Sequence, residues 1–202
     1  MELLLIRHGL PDRVENGDGT AADPPLSAEG RNQAQRLCAW LAPETIHALY
    51  SSPKRRARET AAPLAEAHAL ALREEPGVVE FDAESPVYIP IEELRGSELQ
   101  AWLEQIRSGL YKDIDLAEFR RRVVETLERI VRDHPGERVA VVCHGGVINT
   151  WASHVLRSPS PFFFSPSYTS VHRFLVSRSG VRTLLALNEA PHLRARPLRG
   201  TG

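Results

Sequence analysis

The 202-residue chain has almost no lysine, two cysteines, one methionine and no apolar run long enough to cross a bilayer. Each shortage excludes something. Cys38 and Cys143 cannot form the framework of spaced bridges that staples small secreted domains. The opening apolar run, Leu3 to Ile6, is broken at once by Arg7 and His8. It is too short for a signal-peptide core or a span, and no later segment comes closer, so a cytoplasmic location without a membrane partner is expected. Basic and acidic residues number 25 and 26, a formal charge of -1. That balance argues against nucleic acid or anionic lipid held by bulk positive charge. Of the basic residues only Lys54 and Lys112 are lysines, and the other 23 are arginines. Codon bias accounts for most of them. A planar guanidinium also grips phosphate and carboxylate in a way an ammonium cannot, so some are candidates for anion binding.

What is present is an ordinary globular composition, 42% hydrophobic and 25% charged. A chain of this length buries about two thirds of its unfolded surface without disulfide or metal. Glu2-Leu-Leu-Leu-Ile6, ending at Arg7-His8-Gly9, predicts a strand buried on both faces. After a polar loop, Ser27 caps a helix marked by Ala34, Leu37, Cys38 and Leu41, which stops before Pro43. Ile46 to Tyr50 predicts a second strand. Ser51-Ser52-Pro53 then predicts a helix start, with a serine cap and proline in the first turn. From Glu75 to Leu116 the pattern weakens, leaving a helix over 91–107. Phe119, Val123, Leu127, Ile130 and Val131 mark a long amphipathic helix, and Arg138 to Cys143 predicts another buried strand, stopped by His144-Gly145-Gly146. A helix from Val147 to Leu156 and a hairpin, Val171 to Val176 with Val181 to Leu187, complete the pattern. The alternation implies one three-layer α/β domain. Its mostly parallel central sheet carries helices on both faces, with the core at about 1–80 and 117–190. A smaller helical or irregular insertion at 81–116 lies over the active site, and a loose tail follows from 191.

His8 and His144 occupy the same context, the end of a buried strand before a glycine turn, where ligand sites form in open α/β sheets. One such histidine could be only a satisfied polar end, but two, with Arg7 adjoining, point to a site. A third strand end supplies Arg55, Arg56 and Arg58 at a helix N-terminus, and Gly145-Gly146 offers backbone donors before another helix. Imidazoles, guanidiniums and helix N-termini together suit a phosphoryl group, whose transfer needs an in-line nucleophile and a clamp on the equatorial oxygens. A neutral imidazole is a competent nucleophile, and a phosphohistidine divides one hard displacement into two easier ones. The competing chemistries lack their residues. A cysteine-phosphatase loop on Cys143 needs an arginine six residues on, where Asn149 stands. No nucleophile elbow, Walker loop, H-E-x-x-H or paired C-x-x-C occurs. Arginine neighbours would repel a dication from the two histidines, so no metal and no cofactor is expected.

Leu5-Ile6-Arg7-His8-Gly9 resembles the R-H-G signature of the histidine phosphatase superfamily, the phosphoglycerate mutase-like proteins. The resemblance runs through most of the chain. Pro25-Leu26-Ser27-Ala28-Glu29-Gly30 with Gln33-Ala34 resembles P-L-T-x-x-G-x-x-Q-A. Ser51-Ser52-Pro53-Lys54-Arg55-Arg56-Ala57-Arg58-Glu59-Thr60-Ala61 resembles S-S-P-L-x-R-A-x-Q-T-A. Val142-Cys143-His144-Gly145-Gly146 is similar to the second histidine motif, and Leu187-Asn188-Glu189-Ala190-Pro191-His192-Leu193 to the closing L-N-D-x-x-H-L. The resemblance implies that His8 is the nucleophile and that Arg7, Arg56 and His144 hold phosphate, with the Gly145 backbone beside them. It implies Glu80 as proton donor, with Asp82 and Glu84 as fallbacks, and a metal-independent phosphomonoesterase acting on a small phosphorylated metabolite.

The departures bear on substrate. Many members read R-H-G-x-T-x-x-N, and here those positions are Pro11 and Val14, with Asn16 two residues late as a substitute. The glycine-bearing stretch after the acid is missing between Phe81 and Pro86. A mutase must shield its phosphohistidine from water and hold a sugar acid in two orientations. The chain is short for that, so hydrolysis is expected ahead of a phosphoglycerate-type mutase or a catalytically silent binding module. Phe81, Tyr88, Trp102 and Tyr111 are expected to pack a lid rather than line a pocket. Trp151 and Phe162-Phe163-Phe164 fit either a homodimer contact or a core edge.

Overall fold

The computed structural model describes every residue except 91–93, 95, 98, 99, 102, 103, 105–114, 161 and 195–202. The long strands are β1 (Glu2–Arg7), β3 (Ala48–Ser51), β6 (Arg138–Cys143), β7 (Val171–Val176) and β8 (Arg182–Glu189), with short β4 (Leu72–Glu74) at an edge. They form one sheet in the order β4-β3-β6-β1-β7-β8. β4, β3, β6 and β1 are mutually parallel, whereas β7 runs antiparallel to β1 and β8 antiparallel to β7. A separate two-residue ribbon pairs β2 (Val14–Glu15) with β5 (Val87–Tyr88).

The uninterrupted apolar run of β1 follows from its place at the middle of the sheet. Side chains alternate between faces along a strand, so a strand covered on both sides needs apolar residues at every position. Leu3 and Leu5, with Val139 and Val141, pack against Phe119, Val123 and Leu127 of α3 (Leu116–Asp133) and against Val147 and Trp151 of α4 (Gly145–Leu156). Leu4 and Ile6, with Ala140 and Val142, pack against Leu37 and Leu41 of α1 (Ala28–Leu41) and against Ala57, Ala61 and Leu64 of α2 (Arg55–Ala67). This is the three-layer arrangement read from the alternation of elements.

Ser27 caps α1 as expected, its side chain accepting from the Gly30 N–H, and Asp115 does the same for α3 at Glu118. The start of α2 differs from expectation. It begins at Arg55, its cap Lys54 has no side-chain cap bond, and the Ser52 hydroxyl is engaged with His144 instead. β4 and the β2–β5 ribbon were not foreseen, since segments of two or three residues carry no measurable periodicity. Pro191–Leu193, expected in a loose tail, form a 3-10 turn that stacks His192 on Trp40 of α1. The helix expected over 91–107 lies largely outside the described residues, as do 195–202. Trp151 is fully buried and belongs to the core, whereas Phe162 and Phe163 remain about two-fifths exposed.

One close approach ties α1 to the loop after β1. A Cβ on Gly30 would lie 2.0 Å from the Leu10 carbonyl oxygen, a backbone atom that cannot step aside. Gly30→Ala is therefore expected to destabilise the fold by about 1–3 kcal/mol, the usual cost of overpacking, which thermal unfolding would read as a fall of several degrees.

Candidate active site

His8 stands where β1 leaves the sheet, and the neighbouring strands hold it there. Its N–H donates to the Cys143 carbonyl at 3.0 Å, and the Thr169 N–H donates to its own carbonyl at 3.3 Å. The next two residues are fastened from the helices. The Gly9 N–H donates to Thr60 Oγ1, the Leu10 N–H donates to Gln33 Oε1, and the Ser27 hydroxyl donates to the Leu10 carbonyl, each at 2.9 Å. With the loop so held, His8 Nδ1 lies 2.8 Å from the Gly9 carbonyl oxygen. A carbonyl only accepts, so Nδ1 carries the proton and the Nε2 lone pair is left exposed to the site. The partner of Nε2 agrees, because it is the Arg56 Nε–H, at 3.4 Å. Burial first, then the charges of Arg56 and Arg7, hold the imidazole pKa well below its ordinary value. The ring is therefore neutral at physiological pH.

His144 ends β6 and faces His8, the ring centroids 5.1 Å apart. Its Nε2 lies 2.8 Å from Ser52 Oγ, which also accepts the Lys54 N–H at 3.3 Å. Burial and the same arginines keep His144 neutral too. Arg7 stacks on Tyr168 at 4.0 Å and donates to the Pro166 carbonyl at 2.6 Å. Arg56 is 2% exposed and lies 4.5 Å from the Tyr88 ring centre. Arg56 Nη1 and His144 Nδ1 are buried without a hydrogen-bond partner among the described residues. Leaving a buried polar atom unmet costs about 1–3 kcal/mol, so such atoms at a strand end mark a place built for a ligand. A cluster of cations with a guanidinium donor unspent suits an oxygen-rich anion. Gly145 opens α4 at this point, where the first N–H groups of the helix have no intrahelical acceptor.

Glu80 enters beside the start of α4. Its carboxylate accepts the Gly146 N–H at 2.8 Å and the Phe81 N–H at 3.2 Å. Burial, then the neighbouring Asp82, push the Glu80 carboxyl up to about 7, against those two N–H bonds and Arg56, which lower it. Burial also raises Asp82, opposed by Arg56 and Lys54. Gly146 is the seat for this acid, since a Cβ there would fall 2.2 Å from Glu80 Oε1. Glu84, one of the fallback acids, is exposed.

The structure thus brings Arg7, His8, Arg56, Glu80, His144 and Gly145 to one edge of the sheet. Asn16 is elsewhere engaged, its amide spent on Thr20 and Ala21 in the polar loop. Cys143 is buried, with its thiol pKa pushed up by burial, which removes it as a nucleophile. Phe81 packs edge-on against Phe119, as a lid residue was expected to. Tyr88 instead faces the site, 6.4 Å from the His8 ring, and Trp102 and Tyr111 lie outside the described residues. Sequence reading missed Tyr168, 5.8 Å from His8, and the role of His192 behind it. Thr169 is a buried β-branched residue at φ 54°, a strained conformation. Its hydroxyl donates to the Tyr168 carbonyl, so His192 Nε2–H donates to Thr169 Oγ1 at 2.9 Å. The closing L-N-E-x-x-H-L segment was the available signal for this support.

A neutral histidine presented between arginines, opposite a second histidine and a carboxyl raised toward neutrality, defines a class of phosphate-handling site. The sequence matches the histidine phosphatase superfamily (branch 1) over residues 3–189, and the chain belongs to that superfamily. A probable phosphatase of Schizosaccharomyces pombe is 29% identical over 96% of both chains. Phosphoserine phosphatase 1 of Hydrogenobacter thermophilus is 30% identical over 71% of each. Among solved structures, a phosphoserine phosphatase mutant of Entamoeba histolytica in complex with phosphoserine superposes with a TM-score of 0.72 at 21% identity, covering 96% of this chain and 99% of that one. At that identity the likeness shows the shared fold.

A site of this kind should bind inorganic phosphate and be stabilised by it. At about 100 times the dissociation constant, linkage gives about 2.7 kcal/mol, several degrees in melting temperature. Arg56→Met is expected to abolish that shift, and differential scanning with and without phosphate would show it.

Proposed function

We propose that the protein is a phosphomonoesterase that hydrolyses a small phosphorylated metabolite through a phosphohistidine on His8, without a metal. The observation that carries this reading is the tautomer of His8. Gly9 holds the proton on Nδ1, so the Nε2 lone pair is the one that faces the arginines. In the first step Nε2 attacks phosphorus and the bond from phosphorus to the ester oxygen breaks. Protonated Glu80 gives its proton to that leaving oxygen. Arg7, Arg56 and His144 hold the three equatorial oxygens, whose charge rises in transit. In the second step water attacks phosphorus, the N–P bond breaks, and the Glu80 carboxylate takes the proton of the water. Phosphate leaves with His8 neutral and Glu80 protonated again.

The substrate class is supported by the confined site, where positive charge is local in a chain of net charge -1. Two of the relatives point the same way, one named a phosphoserine phosphatase and one solved in complex with phosphoserine. A phosphoglycerate mutase-like protein of Arabidopsis thaliana, 32% identical over 74% of this chain, keeps the mutase as the second reading. Free phosphate measured against phosphoglycerate isomer formation separates the two.

Turnover of an aryl phosphate is expected to survive chelator and to vanish in His8→Ala, with acid-labile label absent from the variant. Undiminished turnover in that variant would overturn the mechanism. The pH dependence has a definite sign. Glu80 must be protonated in the first step and its raised pKa is about 7, so kcat should fall tenfold per unit above that point. Below it the first step should stay level, because His8 is neutral far into the acid range, whereas the second step slows as the Glu80 carboxylate is protonated. Glu80→Gln, which cannot relay a proton, is expected to lower kcat by about 100-fold or more and flatten that limb.

A further inference from the structure

The segment that carries Glu80 and Asp82 is a string of turns with no sheet or long helix of its own. Among the donors that hold it are two cationic side chains and a backbone amide. Arg122 of α3 donates to the carbonyls of Pro76, Gly77 and Val79, at 3.0 to 3.2 Å. The Gly146 N–H takes the Glu80 carboxylate itself. Beyond the acids, the Lys54 ammonium donates to the Ala83 carbonyl at 2.6 Å. Lys54 is half-buried and caps α2, two residues before Arg56, and its N–H reaches the Ser52 hydroxyl that holds His144. In a chain with only two lysines, this one stands where the S-S-P-L-x-R-A pattern has leucine. A leucine could neither reach a carbonyl with a proton nor bring a charge beside Asp82.

We propose that Lys54 is a positioning residue for the reaction described above: its ammonium ties the Glu80–Asp82 turn to the mouth of α2 and so sets both the place and the charge state of that carboxyl pair. The inference rests on the proposed hydrolase reading. Glu80 and Asp82 lie on one turn and the charge of Asp82 raises Glu80, and the proton must lie on Glu80 for the leaving group to receive it. The groups that face Glu80 are Asp82 on its own turn, Arg56 from α2, Arg122 from α3 and the neutral Cys143 and His144 at the end of β6. Arg56 favours the ionised form of both acids, whereas Lys54 acts on Asp82. Lys54, tied to the Ala83 carbonyl next to Asp82, thus adds to Arg56 in favouring the ionised form of Asp82, which leaves the proton to Glu80.

The test compares Lys54→Met and Lys54→Arg across a pH series of kcat on an aryl phosphate. Removing the cation lets both carboxyls keep protons to higher pH, so the alkaline limb of Lys54→Met should move up by about half a unit or more. Its plateau should fall about tenfold, because part of the proton now resides on Asp82 and the turn is untied. Lys54→Arg keeps the charge and the donor, and should return the limb to its wild-type position. A lower plateau with the limb unmoved would mean a merely structural tie and would overturn the proposal. So would an unchanged profile, or a Lys54→Arg variant that behaves like Lys54→Met. If the wild-type protein proves not to hydrolyse phosphate esters, the function fails but Lys54 is still tested. Carbon-13 titration of the Glu80 and Asp82 carboxyls should show their midpoints raised in Lys54→Met, and unchanged midpoints would overturn the inference.

Discussion

The structure turns on one short hydrogen bond, from His8 Nδ1 to the carbonyl of the next residue. It fixes which nitrogen carries the proton, and it exists only while the Gly9–Leu10 loop is held in one place. Much of what surrounds the loop serves that end. Thr60 from α2, Gln33 and Ser27 from α1, and the close seat of Gly9 and Leu10 against Gly30 all fasten the same few atoms. Segments that lie far apart in the chain are thus explained by one constraint. A loop that could drift would let the imidazole rotate, and a rotated ring would present a donor where a lone pair is required.

The second constraint is electrostatic. The edge of the sheet collects Arg7, Arg56 and Lys54, and burial makes such a gathering of cations costly. The imidazoles respond by remaining neutral, and the carboxyl pair responds by holding a proton. Neutral histidines are what a nucleophile and an oxygen ligand require. A protonated glutamate is what a leaving alkoxide requires. In the proposed reaction the same burial would prepare acid and nucleophile together, by raising one pKa and lowering the other.

The fold was legible where burial dictates pattern. The two apolar runs that end in histidine could only be strands covered on both faces, and α3 showed its core stripe from Phe119 to Val131. What escaped was set by contacts distant in sequence. The β2–β5 ribbon is two residues long and exists to lay Tyr88 near His8, which no periodicity reveals. Ser52 reads as a helix cap because its neighbours are Ser51 and Pro53, but His144, 92 positions away, takes its hydroxyl and the helix starts later. Among the site residues, His8, His144 and Arg7 announced themselves by position at a strand end, whereas Arg56 was one of three arginines at a helix start until the resemblance singled it out. Glu80 could be named only through resemblance, because what singles it out is the amide of Gly146 and the absence of room for a side chain there.

The arginine excess takes on a different meaning once partners are assigned. Several arginines outside the site are spent on carboxylates at the surface or at the opposite end of the sheet. Arg173 bridges Glu2, Glu44 and Glu189, Arg121 spans Glu118 and Glu125 along α3, and Arg182 holds Glu128. These are fork-to-carboxylate contacts that lysine makes poorly, whatever first enriched the residue. Arg7 and Arg56 differ in leaning on tyrosine rings, and Arg56 keeps its Nη1 unspent among the described residues. An aromatic support leaves hydrogen-bond donors for a ligand, whereas a carboxylate support would neutralise them. Lys54 completes the division. Its ammonium is spent on a carbonyl beside the acids, and so brings a cation to the site without occupying either guanidinium.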